Sequence, residues 1–491
     1  MTTREVPPER VYACNPGSVN GAGEYILYWM IASRRRNWNF ALQRAVHWAE
    51  ELRKPLLVLE ALSCTYPWAS SRFHTALMQG MRDNLQSFEH SGATYYPFIE
   101  RFPSHGEGLM HTLAESACVV VTDDFPAFEI PRWITAVAVR SRVLVEKVDS
   151  NGIFPMRSTD RLFTSAYSFR RFLQAVLRRH LEQFPLPDSL ADVELPEGVC
   201  PPQIQRRWPA ATLMELSSPH AQTATIPVDQ SVPTVSSFAA GARAACGRLK
   251  TFMERGLPAY IESRTQPEAD TSSGLSPYLH FGHISAHQIF RAVTSRSNWT
   301  PEKLRGKPTG GREGWWGVPL DTEAFLDQLI TWREIGFNMC AHSTNYASYD
   351  SLPAWARKTL SEHAADLRPK LYSPGELENA RTHDPLWNAA QLQLVQEGRV
   401  HNYLRMLWGK KILEWSRSPQ DALEIMIHLN NKYALDGRDP NSYSGIFWTL
   451  GRYDRPWAPE RPIFGKIRYM SSGNTARKMR VRGYVQRYTK E

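Results

Sequence analysis

From Tyr25 to about Val148, short apolar runs alternate with longer amphipathic stretches. YILYWMIA (25–32), PLLVLEAL (55–62), ATYYPFI (93–99), SACVVVTDDFP (116–126) and VRSRVLVEKVD (139–149) have the length and the β-branched or aromatic content of strands. NWNFALQRAVHWAEEL (37–52) and FHTALMQGMRDNLQSFEH (73–90) instead repeat their apolar positions at helical spacing. Such alternation predicts an α/β domain, a Rossmann-like parallel sheet covered by helices on both faces. Ligands of these sheets sit beyond the carboxyl ends of the strands, which puts Thr122, Asp123 and Asp124 on a candidate ligand rim; a turn with a helix-capping aspartate is the plainer alternative. Gly17, Gly21 and Gly23 precede the first long strand instead of following it, which excludes a dinucleotide fingerprint.

Between about Pro196 and Val235 the pattern dissolves into Pro, Ser, Thr and Gln, the composition of a connection. Beyond it strand periods become rare and helical ones dominate, over 238–257, 284–296, 321–342, 386–416 and 421–435, interrupted by the Gly-rich KPTGGREGWWGVP (307–319). The expected organisation is an α/β domain over 1–190, a linker over 191–235 and an all-α domain over 236–491.

Composition narrows this in three ways. A chain of 491 residues exceeds what one hydrophobic core usually serves, and with 42% hydrophobic and 22% charged residues and 16 tryptophans it belongs among folded enzymes. A net charge of +9 favours an anionic partner, a weak signal alone. The six cysteines (14, 64, 118, 200, 246 and 340) are scattered with no CxxC pair, which argues against a metal or iron–sulfur site, and the N-terminus has neither the apolar core of a signal nor that of a spanning helix. A cytoplasmic, reduced, membrane-free setting is expected.

Three segments carry candidate chemistry. TSSGLSPYLHFGHIS (271–285) sets Ser272, Ser273 and Ser276 ahead of a helix, where hydroxyls and unpaired backbone N–H groups either cap the helix or hold phosphate. IHLNNKYALDGRDPNSYSGIFW (427–448) ends a helix near Asn430 and enters a loop with Asp436, Gly437, Asp439, Pro440 and Asn441; it lacks the alternating acids and closing Glu of a calcium loop. On a helical stretch from Val400 to Trp415, Trp408 and Trp415 share a face, about 10 Å apart along the axis, a spacing that core packing also produces.

LSPYLHFG, DPLWNAAQ, NYLRMLW, LDGRDPN and DRPW occur in this order, and together the chain, from YILYWM to FGKIRYM, resembles the photolyase and cryptochrome superfamily, most closely the class II cyclobutane pyrimidine dimer (CPD) photolyases. The resemblance implies FAD in the helical domain, held by Tyr260, Ser272, Ser273 and Ser276 on one side and Asp436, Asp439 and Asn441 on the other, with Arg405 pairing Asp436. Asn430 matches the asparagine facing flavin N5. Trp408, Trp387 and Trp415 match, from the flavin outward, an electron-conducting row of indoles. Trp332, Trp448 and Met406 match the walls and floor of a pocket for an extruded lesion. Met406 stands where (6-4) photolyases carry a catalytic histidine, and Gln328 where dimer photolyases usually carry a glutamate; Glu334, about 120° around a regular helix from Gln328, does not replace it.

For DNA, the run from Arg452 carries Arg455, Lys466, Arg468, Arg477, Lys478, Arg480 and Arg482 among Tyr453, Trp457 and Tyr469. Trp457 and Arg468 match residues that enter the gap left by the lesion, and Asp454 is expected to orient its neighbours. The partner implied is double-stranded DNA containing a pyrimidine dimer, bound by a monomer. An antenna pigment in the N-terminal domain, of the 8-hydroxy-deazaflavin type in preference to folate, is a further expectation, although Arg34, Arg35 and Arg36 depart from the usual pattern there. The rival functions are a cryptochrome-like photoreceptor, (6-4) repair and a flavin-free DNA-binding module.

Overall fold

The computed structural model describes residues 5–198, 200–269 and 271–489. They form two compact units, the first from the described residues within 5–159, 177–250 and 275–301, the second from those within 160–176, 251–274 and 302–489. The second unit thus takes a short segment from before the expected linker, and 191–235 is not bare chain but carries three short helices, Pro202–Arg207, Leu213–Ser217 and Pro219–Thr223.

The first unit is built on six strands: β1 (Val11–Ala13), β2 (Tyr25–Trp29), β3 (Leu56–Leu62), β4 (Thr94–Ile99), β5 (Ala117–Asp123) and β6 (Val145–Val148), in the order β1-β6-β5-β2-β3-β4. All neighbours are parallel except β1, which adds an antiparallel edge to β6. The five expected strands are present. Alternation along them divides the core: Leu27, Leu57, Leu59 and Val120 lie on one face with α3 (Leu109–Ser116) and α4 (Ile130–Arg140), while Ile26, Tyr28, Val58, Val119 and Val121 lie on the other with α1 (Phe40–Leu52). Asn39 starts α1 by accepting from the amides of Ala41 and Leu42. α2 (Ser71–Phe88) completes the expected helices of this region.

The second unit is helical, with no strand among its described residues. Its principal elements are α5 (Ala166–Val176), α6 (Leu320–Leu326), α7 (Arg333–His342), α8 (Pro385–Glu397), α9 (Asn402–Trp415), α10 (Pro419–Tyr433) and α11 (Pro440–Thr449). The helical pattern over 386–416 resolves into two helices because Gly398 adopts a left-handed φ of 65° and closes α8 through its N–H to Leu394 O. Asp384, bonded to the amides of Leu386 and Trp387 and followed by Pro385, sets where α8 begins. At Gly409 the backbone of α9 comes so close to its neighbours that a Cβ would lie 2.6 Å from Thr449 of α11 and 2.9 Å from Met426 of α10, so glycine is what lets these three helices meet.

Candidate functional site

α6 and α7 are one continuous rod joined by a π-helical turn, Asp327–Trp332. Such turns are uncommon and gather at functional sites. From Phe325 to Cys340 every residue is buried except Gln328 and Trp332, four apart and on the same face. α11 shows the same feature: between Pro440 and Leu450 only Asn441, Gly445 and Trp448 are not buried, and their spacing makes one stripe. The two open faces meet, since the Trp332 and Trp448 rings lie 5.9 Å apart, tilted by 56°. Arg405 of α9 adjoins the same stripe, its Cδ being 4.0 Å from where a Cβ on Gly445 would stand. Met406, next along α9, is buried, with 9% exposure. Glu334 is also buried.

The polar candidates surround this opening. Arg405 pairs with Asp436 at 3.3 Å, both side chains mostly buried. Asn430, with 3% exposure, donates from Nδ2 to Ser442 Oγ at 2.6 Å. The loop between α10 and α11 is held by Asn431, whose Oδ1 accepts from the Arg438 amide at 3.0 Å, and Asp439 caps α11 by accepting from the Asn441 amide at 2.9 Å. Asp439 therefore has a structural task whether or not it also meets a ligand.

Tyr260 is buried, packing edge-on against Phe252 and Phe325 at 5.9 and 5.6 Å, and burial raises its phenol pKa. Thr271, immediately before Ser272 and Ser273, hydrogen-bonds Ser263 on the Tyr260 helix. Ser276 opens a five-residue helix that belongs to the first unit.

The indoles are tightly oriented. Trp408 donates from Nε1 to Gln391 Oε1 at 2.8 Å, and Trp387 donates to the carbonyl of Trp408 at 3.0 Å. Trp387 then meets Trp415 edge to face, centroids 5.5 Å apart. All three are buried, with 0%, 2% and 3% exposure for Trp387, Trp408 and Trp415. Two residues that sequence reading missed cover Trp415: Tyr372 at 5.4 Å and the exposed His383 at 5.3 Å. Tyr372 OH and His383 Nδ1 are 2.6 Å apart. Neither lies at helical spacing from Trp415, so no local signal marked them.

The C-terminal candidates form a second group. Trp457 donates to Asp454 Oδ1 at 3.1 Å and is flanked by the guanidinium groups of Arg455 and Arg468, 4.8 and 5.0 Å from its ring. The amide of Trp457 donates to the carbonyl of Lys466, whose ammonium pairs with Glu460 at 3.1 Å. Lys410 of α9, fully buried and donating to the Thr449 carbonyl, is a link that sequence reading missed. Burial pushes its pKa down to about 7, opposed by the carboxylate of Asp454.

In the first unit, the residues at the carboxyl ends of the strands are engaged with one another. Asp123 accepts from the amides of Ile31, Ala32 and Ser33 and from the Tyr28 hydroxyl, all at 2.8 to 2.9 Å. Glu60 holds Arg34, Asn84 and Tyr95, and Asp124 holds Arg157 and Lys147. These carboxylates therefore have their donors within the first unit.

No family model matches the chain. It is similar to the deoxyribodipyrimidine photo-lyase of Methanothermobacter thermautotrophicus, 34% identical over 480 residues covering 98% of each protein. The chain belongs to the deoxyribodipyrimidine photolyase family. Photolyases of that name from Oryza sativa subsp. japonica (34% identical, covering 97% of this chain and 89% of that protein) and Potorous tridactylus (32%, covering 93% and 79%) are similar as well. A bacterial class III photolyase from Agrobacterium tumefaciens shares the fold, with a TM-score of 0.68 at 17% identity over 96% of this chain and 87% of that one. Photolyases generally bind FAD. No helix among the described residues is long and apolar enough to cross a membrane.

Proposed function

We propose that the protein is a class II CPD photolyase, which splits cyclobutane pyrimidine dimers in double-stranded DNA with the help of blue light. The observation that carries this reading is the stripe of partly exposed Gln328, Trp332, Asn441, Arg405 and Trp448 on otherwise buried helices of the second unit, beside a buried Asn430 oriented by Ser442. This polar and aromatic lining fits FAD. Arg405, Asn430, Asp436, Asp439 and Asn441, with Tyr260, Ser272 and Ser273, would hold it. Held there in reduced form and excited by light, FAD would supply the electron that opens the cyclobutane ring and would recover it afterwards.

The chain's own contribution is positioning. Ser442 orients the Asn430 amide so that Oδ1 accepts while no full charge is added. Trp332 and Trp448 provide flat apolar walls for a flipped-out dimer, and Met406 an apolar floor. Trp457, held by Asp454 and flanked by Arg455 and Arg468, fills the gap in the duplex while the cations hold phosphates.

Reduced protein incubated with oligonucleotides carrying either a cyclobutane dimer or a (6-4) product, under blue light and in darkness, tests the reading. Light-dependent loss of the cyclobutane dimer alone is expected; loss of the (6-4) product alone would overturn it.

Two substitutions probe the site. Asn430→Asp places a carboxylate where a neutral acceptor stands. A full charge at hydrogen-bonding range is worth on the order of 4 kcal/mol, so the flavin reduction potential should fall by roughly 170 mV. An unchanged potential in a redox titration would remove Asn430 from the flavin. Gln328→Glu restores an acid at the open face of the π turn, and a glutamate can share a proton with a dimer carbonyl where an amide cannot. Repair yield per absorbed photon is expected to rise with lesion affinity little changed; equal or lower yield would show that Gln328 does not face the dimer.

A further inference from the structure

The Gly-rich loop (307–319) and the residues leading into it from 303 have no part in the site described above, yet they are firmly held. Glu323 accepts from three consecutive amides, Gly314, Trp315 and Trp316, at 2.6, 2.9 and 2.9 Å. At the other end Gln174 of α5 accepts from the Gly310 amide at 2.8 Å and donates to the Gly311 carbonyl at 3.0 Å, while Arg170 donates to the Gly310 carbonyl at 3.2 Å. Gly310 has φ 78°, and a Cβ there would lie 2.8 Å from the ring of Tyr167, so the glycine lets this ring rest on the loop. Despite that contact Tyr167 remains 58% exposed.

Exposed cations occur on both stretches that meet at this contact: Arg171, one helical turn beyond Tyr167, and Arg305, Lys307 and Arg312 within seven residues of each other around Gly310. Glu302 and Glu313 are exposed acids of the same stretch. An exposed tyrosine hydroxyl together with exposed cations on a braced backbone is the make-up of a surface that contacts nucleic-acid phosphates. Its position supports the same partner. Ser165 pairs with Tyr453 in a parallel bridge, so the segment leading into α5 runs beside the start of the Asp454–Trp457–Arg468 group. Asn338 clamps that segment by accepting from the Phe163 amide at 3.0 Å and donating to the Arg161 carbonyl at 2.9 Å.

We infer that Tyr167 and Arg171 of α5, together with Arg305, Lys307 and Arg312 of the braced loop, form a second contact surface for the sugar–phosphate backbone of duplex DNA, continuous with the C-terminal segment. The inference rests on the reading of the protein as an enzyme of damaged DNA. It assigns the loop a positioning role: fixed cations neutralise phosphates flanking the lesion and set the register of the duplex without reading its sequence.

The test titrates the full-length protein against a dimer-containing duplex and the matching undamaged duplex over a range of NaCl concentrations. Each phosphate contact removed lowers the slope of log Kd against log salt by about 0.9. Arg171→Gln with Arg312→Gln should therefore lower it by about two, and Tyr167→Ala should weaken binding about fivefold at an unchanged slope, as loss of one hydrogen bond does. Arg140→Gln with Arg142→Gln, two exposed arginines of the first unit, is the control and should leave the slope as it is. The surface is overturned if the paired variant keeps the native slope, if the control pair lowers it equally, or if Tyr167→Ala binds as the native chain does. Failure of the native chain to bind either duplex would instead sink the functional reading itself.

Discussion

Trp408→Phe is expected to abolish light-driven reduction of the bound flavin. The indole of Trp408 is buried, fixed by Gln391, and followed by Trp387, which donates to its carbonyl, and by Trp415 in edge contact with Trp387. Phenylalanine keeps most of the volume but is far harder to oxidise and has no N–H. Gln391 Oε1 is then left without its donor in an apolar setting, which costs about 1–3 kcal/mol of stability, so the variant folds but melts lower. The measurement follows flavin absorbance under continuous blue light with an external reductant. Reduction at the native rate would mean that electrons enter by another route. Chemical reduction in darkness bypasses the indoles, so assaying repair in the chemically reduced variant separates electron supply from cofactor binding. Trp415→Phe should reduce the yield without abolishing it, because the inner two indoles remain in place.

The row of indoles shows what the sequence could and could not convey. Trp408 and Trp415 share a helical face and Trp387 follows the Asp384 cap, so their helices are legible from local spacing and capping chemistry. What covers Trp415 is not. Tyr372 comes from an irregular stretch and His383 from just before α8, and only tertiary folding brings both rings against the indole. The strands of the first unit were legible because each is a continuous apolar run between polar turns. The short edge strand β1 was not, since VYA carries no pattern of its own and depends on pairing with β6. The helical half was legible as helix, but its opening was not: Gln328 and Trp332 become the open face of the α6–α7 rod, and Asn441, Gly445 and Trp448 that of α11, only where two such stripes confront each other. The division into units escaped the sequence for a related reason. Residues 160–176 precede the Pro- and Ser-rich stretch, yet they fold with the second unit through partners more than 100 residues away, as Arg170 does with Asp327.

That pair leads to the largest expected loss of stability. Asp327→Ala should destabilise the second unit by about 3–5 kcal/mol, since it leaves a guanidinium buried without its counter-charge. Arg170 and Asp327 form a bidentate bridge at 2.7 and 2.9 Å, with side chains 7% and 9% exposed. Asp327 is the first residue of the π turn, so the bridge fixes the turn that presents Gln328 and Trp332, and through the bond of Arg170 to Gly310 it also braces the Gly-rich loop. Thermal unfolding should show a midpoint lower by about 10 °C or more. The double variant Arg170→Met with Asp327→Leu removes both charges and should recover much of the loss, because two apolar side chains of similar length pack where an unpaired ion cannot. If Asp327→Ala melted within a degree of the native protein, the bridge would contribute nothing to holding the turn. If instead the double variant regained stability but not lesion affinity, the charges would be acting on the shape of the turn and loop, since neither side chain is exposed enough to meet DNA itself.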